Sequence, residues 1–203
     1  VYALGKPLGV LLFSYLAWLL ASVGVAPFTQ ATLVALLAGL GLMALLRRER
    51  DAISPPGLGE VFASEAVCWG AFAFFLVVRA FNPEVFWGEK PMDFSFLNAM
   101  NRTTTLPPPE PWFAGSPLHY SYFGYFSAAA LGKLVHVHPA VTFNLAIASI
   151  GGLGASAAVA LGSAITGRWT VGVLTAFLAF GIGNLSGPGE ALARKVIDFH
   201  YFW

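Results

Sequence analysis

Residues 8–26 run for nineteen positions without a charged side chain, and no other feature constrains the fold of this chain as strongly. At about 1.5 Å of rise per residue, a helix of that length matches the roughly 30 Å hydrocarbon core of a bilayer. Backbone that crosses lipid must pair every N–H and C=O internally, so the run predicts a transmembrane helix. A secretory signal peptide fits less well. Its apolar stretch is about 7–15 residues long and ends at a small-residue cleavage site, which Val25-Ala26-Pro27-Phe28 does not supply. Further apolar stretches follow at 31–46, 61–80, 120–135, 141–165 and 170–185. Together they predict an all-α fold, a polytopic transmembrane helix bundle of about six spans.

Composition agrees. Of 203 residues, 57% are apolar and 10% charged, against roughly 25% charged in an ordinary soluble domain. That leaves too little polar surface for a water-soluble enzyme and too much apolar mass for a disordered chain. The 22 glycines and a mean hydropathy of +0.71 suit helices packed in lipid. Eleven Lys and Arg against ten Asp and Glu give a net charge of +1 with no basic tract, so nothing points to a nucleic-acid partner. The single cysteine, Cys68, cannot form an intrachain disulfide and reads as buried apolar filler. No Gly-rich phosphate loop ending in G-K-S/T and no G-x-S-x-G elbow occurs, which removes support for ATP-driven transport and serine hydrolysis.

Charge in the connecting loops sets the orientation, because Lys and Arg are retained on the cytoplasmic side. With Lys6 cytoplasmic, six expected spans put Arg47, Arg48, Arg50, Lys133, Arg194 and Lys195 with it, against Arg79, Lys90, Arg102 and Arg168 on the other face. The long polar insertion, loop 81–119, is then extracytoplasmic. The chain reads as one membrane-embedded portion, 1–203, and its aromatic ending, His200-Tyr201-Phe202-Trp203 after Asp198-Phe199, reads as the front part of a longer protein. Gly151, Gly152, Gly154 and Gly162 in the fifth stretch offer small-residue faces for close helix packing.

Loop 81–119 is where chemistry can reside, since long loops in compact domains are either functional or disordered and this one is rich in aromatics. Pro91 suits the first turn of a helix over 91–101. Met92, Phe96, Leu97 and Met100 fall on one side of it, as in a helix lying in the membrane interface with its apolar side down. Asp93 lies in the first turn and Glu89 four residues before it, so two carboxylates approach one point. Helix capping and a catalytic or metal-binding role both account for them. The prolines at 107–109 and 111 predict an extended polyproline strut carrying Trp112 and Phe113. Tyr120, Tyr122 and Tyr125, with His119, serve either as interfacial anchors or as the lining of a polar site facing the acids. Arg79, at the outer end of the third stretch, either snorkels or binds phosphate.

Several of these residues resemble a known family. Gly88-Glu89-Lys90-Pro91-Met92-Asp93-Phe94, Phe96-Leu97-Asn98-Ala99, Pro107 through Gly115 and the tyrosine group are similar to the "YYY" family of bacterial and archaeal polytopic membrane proteins, named for a tyrosine triplet. The resemblance covers about residues 88–126. Ser121 stands where the middle tyrosine of the triplet would be, so no unique role attaches to that hydroxyl. The family is in turn similar to the GT-C superfamily of membrane glycosyltransferases that use polyprenyl-phosphate sugars. The resemblance implies a prokaryotic plasma-membrane enzyme with Glu89 and Asp93 as its acid pair. One acid would be the general base, with Glu89 slightly favoured, and a divalent metal, Mg or Mn, or Lys90, Arg102 or Arg79 would meet the phosphate charge. His119, Tyr120, Tyr122 and Tyr125 would line the substrate site, and the partners would be membrane lipid and a polyprenyl-phosphate-linked sugar donor. The alternative is a non-catalytic transporter component or assembly scaffold. Its loop would expose Trp87, Trp112 and Phe113 as a docking surface.

Overall fold

The computed structural model describes residues 2–48, 56–86 and 88–181. Among them the chain is all-helical: α1 (Tyr2–Ser22), α2 (Gln30–Arg48), α3 (Leu58–Phe81), α4 (Lys90–Arg102), α5 (Phe123–Leu134), α6 (Pro139–Thr166) and α7 (Trp169–Gly181). Four of these, α1, α2, α3 and α6, are long and apolar enough to cross a membrane. The sixth expected span, 170–185, begins as α7, and its last residues lie outside those described, as do Arg194, Lys195 and the aromatic ending.

The expected span at 120–135 is replaced by a shorter element. α5 has 12 residues, about 18 Å of helix against a hydrocarbon core of roughly 30 Å. It starts only at Phe123 because Leu118 is held extended by its N–H bond to the Pro108 carbonyl at 2.9 Å. It stops at Leu134 because the chain makes a Schellman turn. Val137 N–H reaches back to Gly132 O at 2.9 Å and His136 N–H to Lys133 O at 3.3 Å, with His136 in the left-handed region at φ 57°. That turn normally carries glycine, so a histidine there gives no stop signal.

The chain divides into two compact units. The first comprises 1–7, 56–84 and 144–203 and holds α3, most of α6, and α7. Glycines bring its helices together. A Cβ on Gly152 of α6 would lie 2.8 Å from the Cys68 carbonyl oxygen of α3, and one on Gly162 would lie 2.9 Å from the Gly172 Cα of α7. Cys68 is buried there. Near the start of α3, Glu65 forms an ion pair with Lys6 and accepts from Tyr2 Oη at 2.9 Å and Trp69 Nε1 at 3.0 Å.

The second unit comprises 8–55 and 85–143 and holds α2, α4, α5 and the larger part of α1. α4 and α5 pack side by side, and α2 also packs on α5. Phe96, Leu97 and Met100 of α4 are buried, as are Phe126 and Phe28, whose rings lie 4.4 Å apart. The apolar side of α4 is thus covered largely by protein rather than left to face an interface. The expected proline strut is interrupted: the Leu106–Pro107 bond is cis, and 108–110 pairs antiparallel with 116–118 around Gly115, whose φ is 87°.

Candidate functional site

α4 forms where the sequence places it. Pro91 occupies the first turn, where its missing N–H costs nothing. Asp93 in that turn and Arg102 in the last match the helix dipole. Glu89 is the residue preceding the helix, and its carbonyl accepts from Asp93 N–H at 3.0 Å. The Glu89 side chain is exposed, while Asp93 is half-buried.

The parallel packing of α4 and α5 sets Tyr125 against Asp93, and Tyr125 Oη donates to Asp93 Oδ1 at 2.6 Å. Burial and that hydrogen bond to the carboxylate push the Tyr125 phenol well above the ordinary tyrosine range, so it remains a donor at neutral pH. Phe96 completes the cluster, with ring centroids 5.1 Å from Tyr120 and 5.6 Å from Tyr125. A carboxylate oriented in this way by a fixed phenol can accept a proton or ligate a cation. On the other side of α4, Trp112 Nε1 donates to Ser95 Oγ at 2.8 Å, and Ser95 Oγ donates to Met92 O. A groove of about 690 Å³ runs along α4 past Ser95, Asn98 and Arg102 to Glu110.

The remaining expected site residues separate. Tyr122 is the N-cap of α5, Tyr120 is half-exposed with its ring on Phe96, and His119 is exposed. Lys90 is the first residue of α4, next to Glu89. Arg102 is at the other end of α4, thirteen positions from Glu89, or about 19 Å of helix rise, so the acids and this cation do not converge. Arg79 does not snorkel. It is 1% exposed, and its guanidinium donates to Asn144 Oδ1 at 2.6 Å and to the carbonyls of Asn82, Pro83 and Glu84. It caps the end of α3 and its following turn. Among the described residues no three His, Cys, Asp or Glu side chains gather as a metal site.

Sequence reasoning missed Lys133, which it read as a boundary residue across the membrane from loop 81–119. Lys133 Nζ donates to Thr103 O at 2.6 Å and to Phe28 O at 2.9 Å, and lies 3.9 Å from the Phe28 ring centroid. Gln30 Nε2 adds a bond to Leu134 O at 3.1 Å. The C-terminus of α5 is therefore fastened to the end of α4 and to the α1–α2 connection. Burial lowers the Lys133 ammonium to about 8. No local signal identifies this role, because both acceptors are backbone carbonyls far away in sequence.

Several long apolar helices and a helical layer carrying an oriented carboxylate define an integral membrane protein. The chain belongs to the uncharacterized membrane protein family DUF2298, whose model it matches over residues 12–200. No curated protein and no solved structure matches it.

Proposed function

We propose that the protein is a membrane glycosyltransferase that moves a sugar from a polyprenyl-phosphate donor to an acceptor hydroxyl, with the Asp93 end of α4 as its reaction centre. The observation that carries the reading is the Tyr125–Asp93 hydrogen bond of 2.6 Å beside an exposed Glu89. It supplies one carboxylate held in orientation and a second free to reach. Asp93 takes the general-base role because a catalytic carboxylate must be fixed in place, and Tyr125 is its positioning residue. This reverses the slight preference for Glu89, which rested only on that residue's freedom to move.

In the proposed step Asp93 accepts the proton of the acceptor hydroxyl. The oxygen bonds to the anomeric carbon, and the carbon–oxygen bond to the lipid phosphate breaks with its electron pair going to the phosphate. Lys90, beside Glu89, is the cation nearest in sequence to meet that charge. A divalent cation such as Mg or Mn, held by Glu89, would supply further charge neutralisation to phosphate oxygens. The site faces the extracytoplasmic side of a prokaryotic plasma membrane in this reading. Under the same reading the 12-residue α5 does not cross, which puts Arg168 with Lys6 and the arginine cluster that follows α2 on the cytoplasmic side and takes Lys133 from it.

The test is transfer from radiolabelled polyprenyl-phosphate sugars in membranes carrying the full-length protein. Asp93→Asn should abolish transfer at equal expression, and Tyr125→Phe should reduce kcat about tenfold or more with little change in KM, since it acts through Asp93. Transfer unchanged in both Asp93→Asn and Glu89→Gln would sink the proposal. A second reading, a scaffold or transporter component, is favoured by one observation: Trp112 and Phe113 are 65% and 70% exposed. Trp87 lies outside the described residues. Under that reading no donor supports transfer, and Trp112→Ala with Phe113→Ala releases a co-purifying partner.

A further inference from the structure

At the opposite end of α4 from the acids, the C-termini of α4 and α5 border an open groove of about 610 Å³, in which Arg102, His136 and His138 are exposed. Arg102 and Asn101 line it from α4, Lys133 from α5, His136 and His138 from the turn that follows, and Gln30 from the start of α2. No Asp or Glu lines it. Arg102 carries a permanent positive charge, and the two hydrogen bonds of Lys133 go to uncharged carbonyls. The cations lining the groove thus lack a carboxylate counterpart within it. The first residues of both α2 and α6 also form part of its wall, adding the positive ends of two long helices. His136 is the one non-glycine residue with positive φ among those described, and it stands at this wall. A left-handed β-carbon costs roughly 1–2 kcal/mol, so the turn holds an imidazole where glycine would be more stable.

We propose that this groove binds a phosphate group, with Arg102, Lys133, His136 and His138 as its ligands. The shared chemistry is a phosphomonoester, borne either by a small soluble molecule or by a lipid headgroup. The volume exceeds what a bare anion needs and falls in the range of small-molecule pockets, about 300–1,000 Å³. Arg102 supplies a planar fork suited to two phosphate oxygens, and the histidines supply single N–H donors. The site is separate from the proposed transfer centre, since Asp93 and Arg102 are nine positions apart on α4, about 14 Å of helix rise. Because it requires no sugar transfer, failure of the transferase reading leaves it standing.

The experiment is equilibrium binding to the full chain in phosphatidylcholine nanodiscs. In one arm inorganic phosphate and glycerol 3-phosphate are titrated calorimetrically. In the other, retention of phosphatidic acid against phosphatidylcholine is read by native mass spectrometry. Saturable binding is expected in one arm, and the arm that gives it identifies the source. Arg102→Gln and His138→Gln should each weaken it about tenfold, the loss of one charge-assisted hydrogen bond. Arg168→Gln, an exposed cation outside the groove, should leave it unchanged. No saturable binding in either arm overturns the proposal, as does equal weakening by Arg168→Gln. Should Arg102→Gln fail to fold, His136→Gly keeps the test open. It relieves the left-handed strain, so the variant is expected to fold at least as well, and unchanged affinity in it counts against the site.

Discussion

The two compact units are held together by different forces. In the unit containing α3, α6 and α7, helices approach so closely that a β-carbon on Gly152 would run into the Cys68 carbonyl oxygen and one on Gly162 into the Gly172 Cα. In the unit containing α2, α4 and α5, apolar rings fill the centre, and long polar side chains reach backbone carbonyls, as Lys133 does for Phe28 and Thr103. Lipid gives no hydrophobic drive between helices, so the first unit depends on contact distance. The second depends on ring packing and on a few side-chain hydrogen bonds to backbone carbonyls, from Lys133 and Gln30.

The largest effect expected from this contrast is all-or-none. A 12-residue α5 is about 18 Å long, short of the roughly 30 Å hydrocarbon core, so both of its ends are expected on one side of the membrane. In a Cys68→Ala background, His136→Cys and Thr104→Cys should react with an impermeant maleimide from the same face of sealed vesicles, and Arg168→Cys, beyond α6, from the opposite face. Labelling of positions 136 and 104 from opposite faces would restore α5 as a span. Next in size is a pair of glycine substitutions. Gly152→Val pushes a side chain into backbone that cannot rotate away and should cost about 3 kcal/mol or more. Gly9→Ala in α1, where nothing lies within 4 Å of the added carbon, should be neutral or slightly stabilising. Thermal unfolding in detergent reads both, and comparable losses at the two positions would remove the distinction between the units.

The same contrast explains what the sequence made legible. The helical class and the start and buried face of α4 all rest on local pattern: uncharged runs, Pro91 in a first turn, and Phe96, Leu97 and Met100 at helical spacing. The packing role of Gly151 and Gly152 was equally local, since small residues on a spanning helix have one main use. The length of α5 was not legible. Its residues are as apolar as a span, and what ends it is a histidine in a left-handed turn and a lysine bonded across more than 100 positions to the Phe28 carbonyl. Of the candidate site, the tyrosine group left anchoring and site lining both open, and only the packing of α4 on α5 singles out Tyr125 as the partner of Asp93. The separation of Arg102 from the acids required only the length of α4, whereas the capping role of Arg79 required knowing where α3 turns.

The smallest effect sharpens the second unit's side of the comparison. Burial lowers Lys133 from the ordinary lysine value of 10.5 to about 8, so between those values the unfolded chain binds a proton that the folded chain has released. Stability then rises with pH across that window, because the cost of holding a buried charge disappears. The carbonyl bonds survive the change, for a neutral amine retains two N–H donors and Lys133 has two acceptors, Phe28 O and Thr103 O. Tm measured from pH 8 to 10 should therefore climb by a few degrees in the wild-type chain, and Lys133→Met should flatten that rise while lowering Tm at pH 7 through two carbonyls left without partners. A wild-type Tm that falls over the same interval would mean that the ammonium charge itself, and not the two donated hydrogen atoms, fastens α5 to α4.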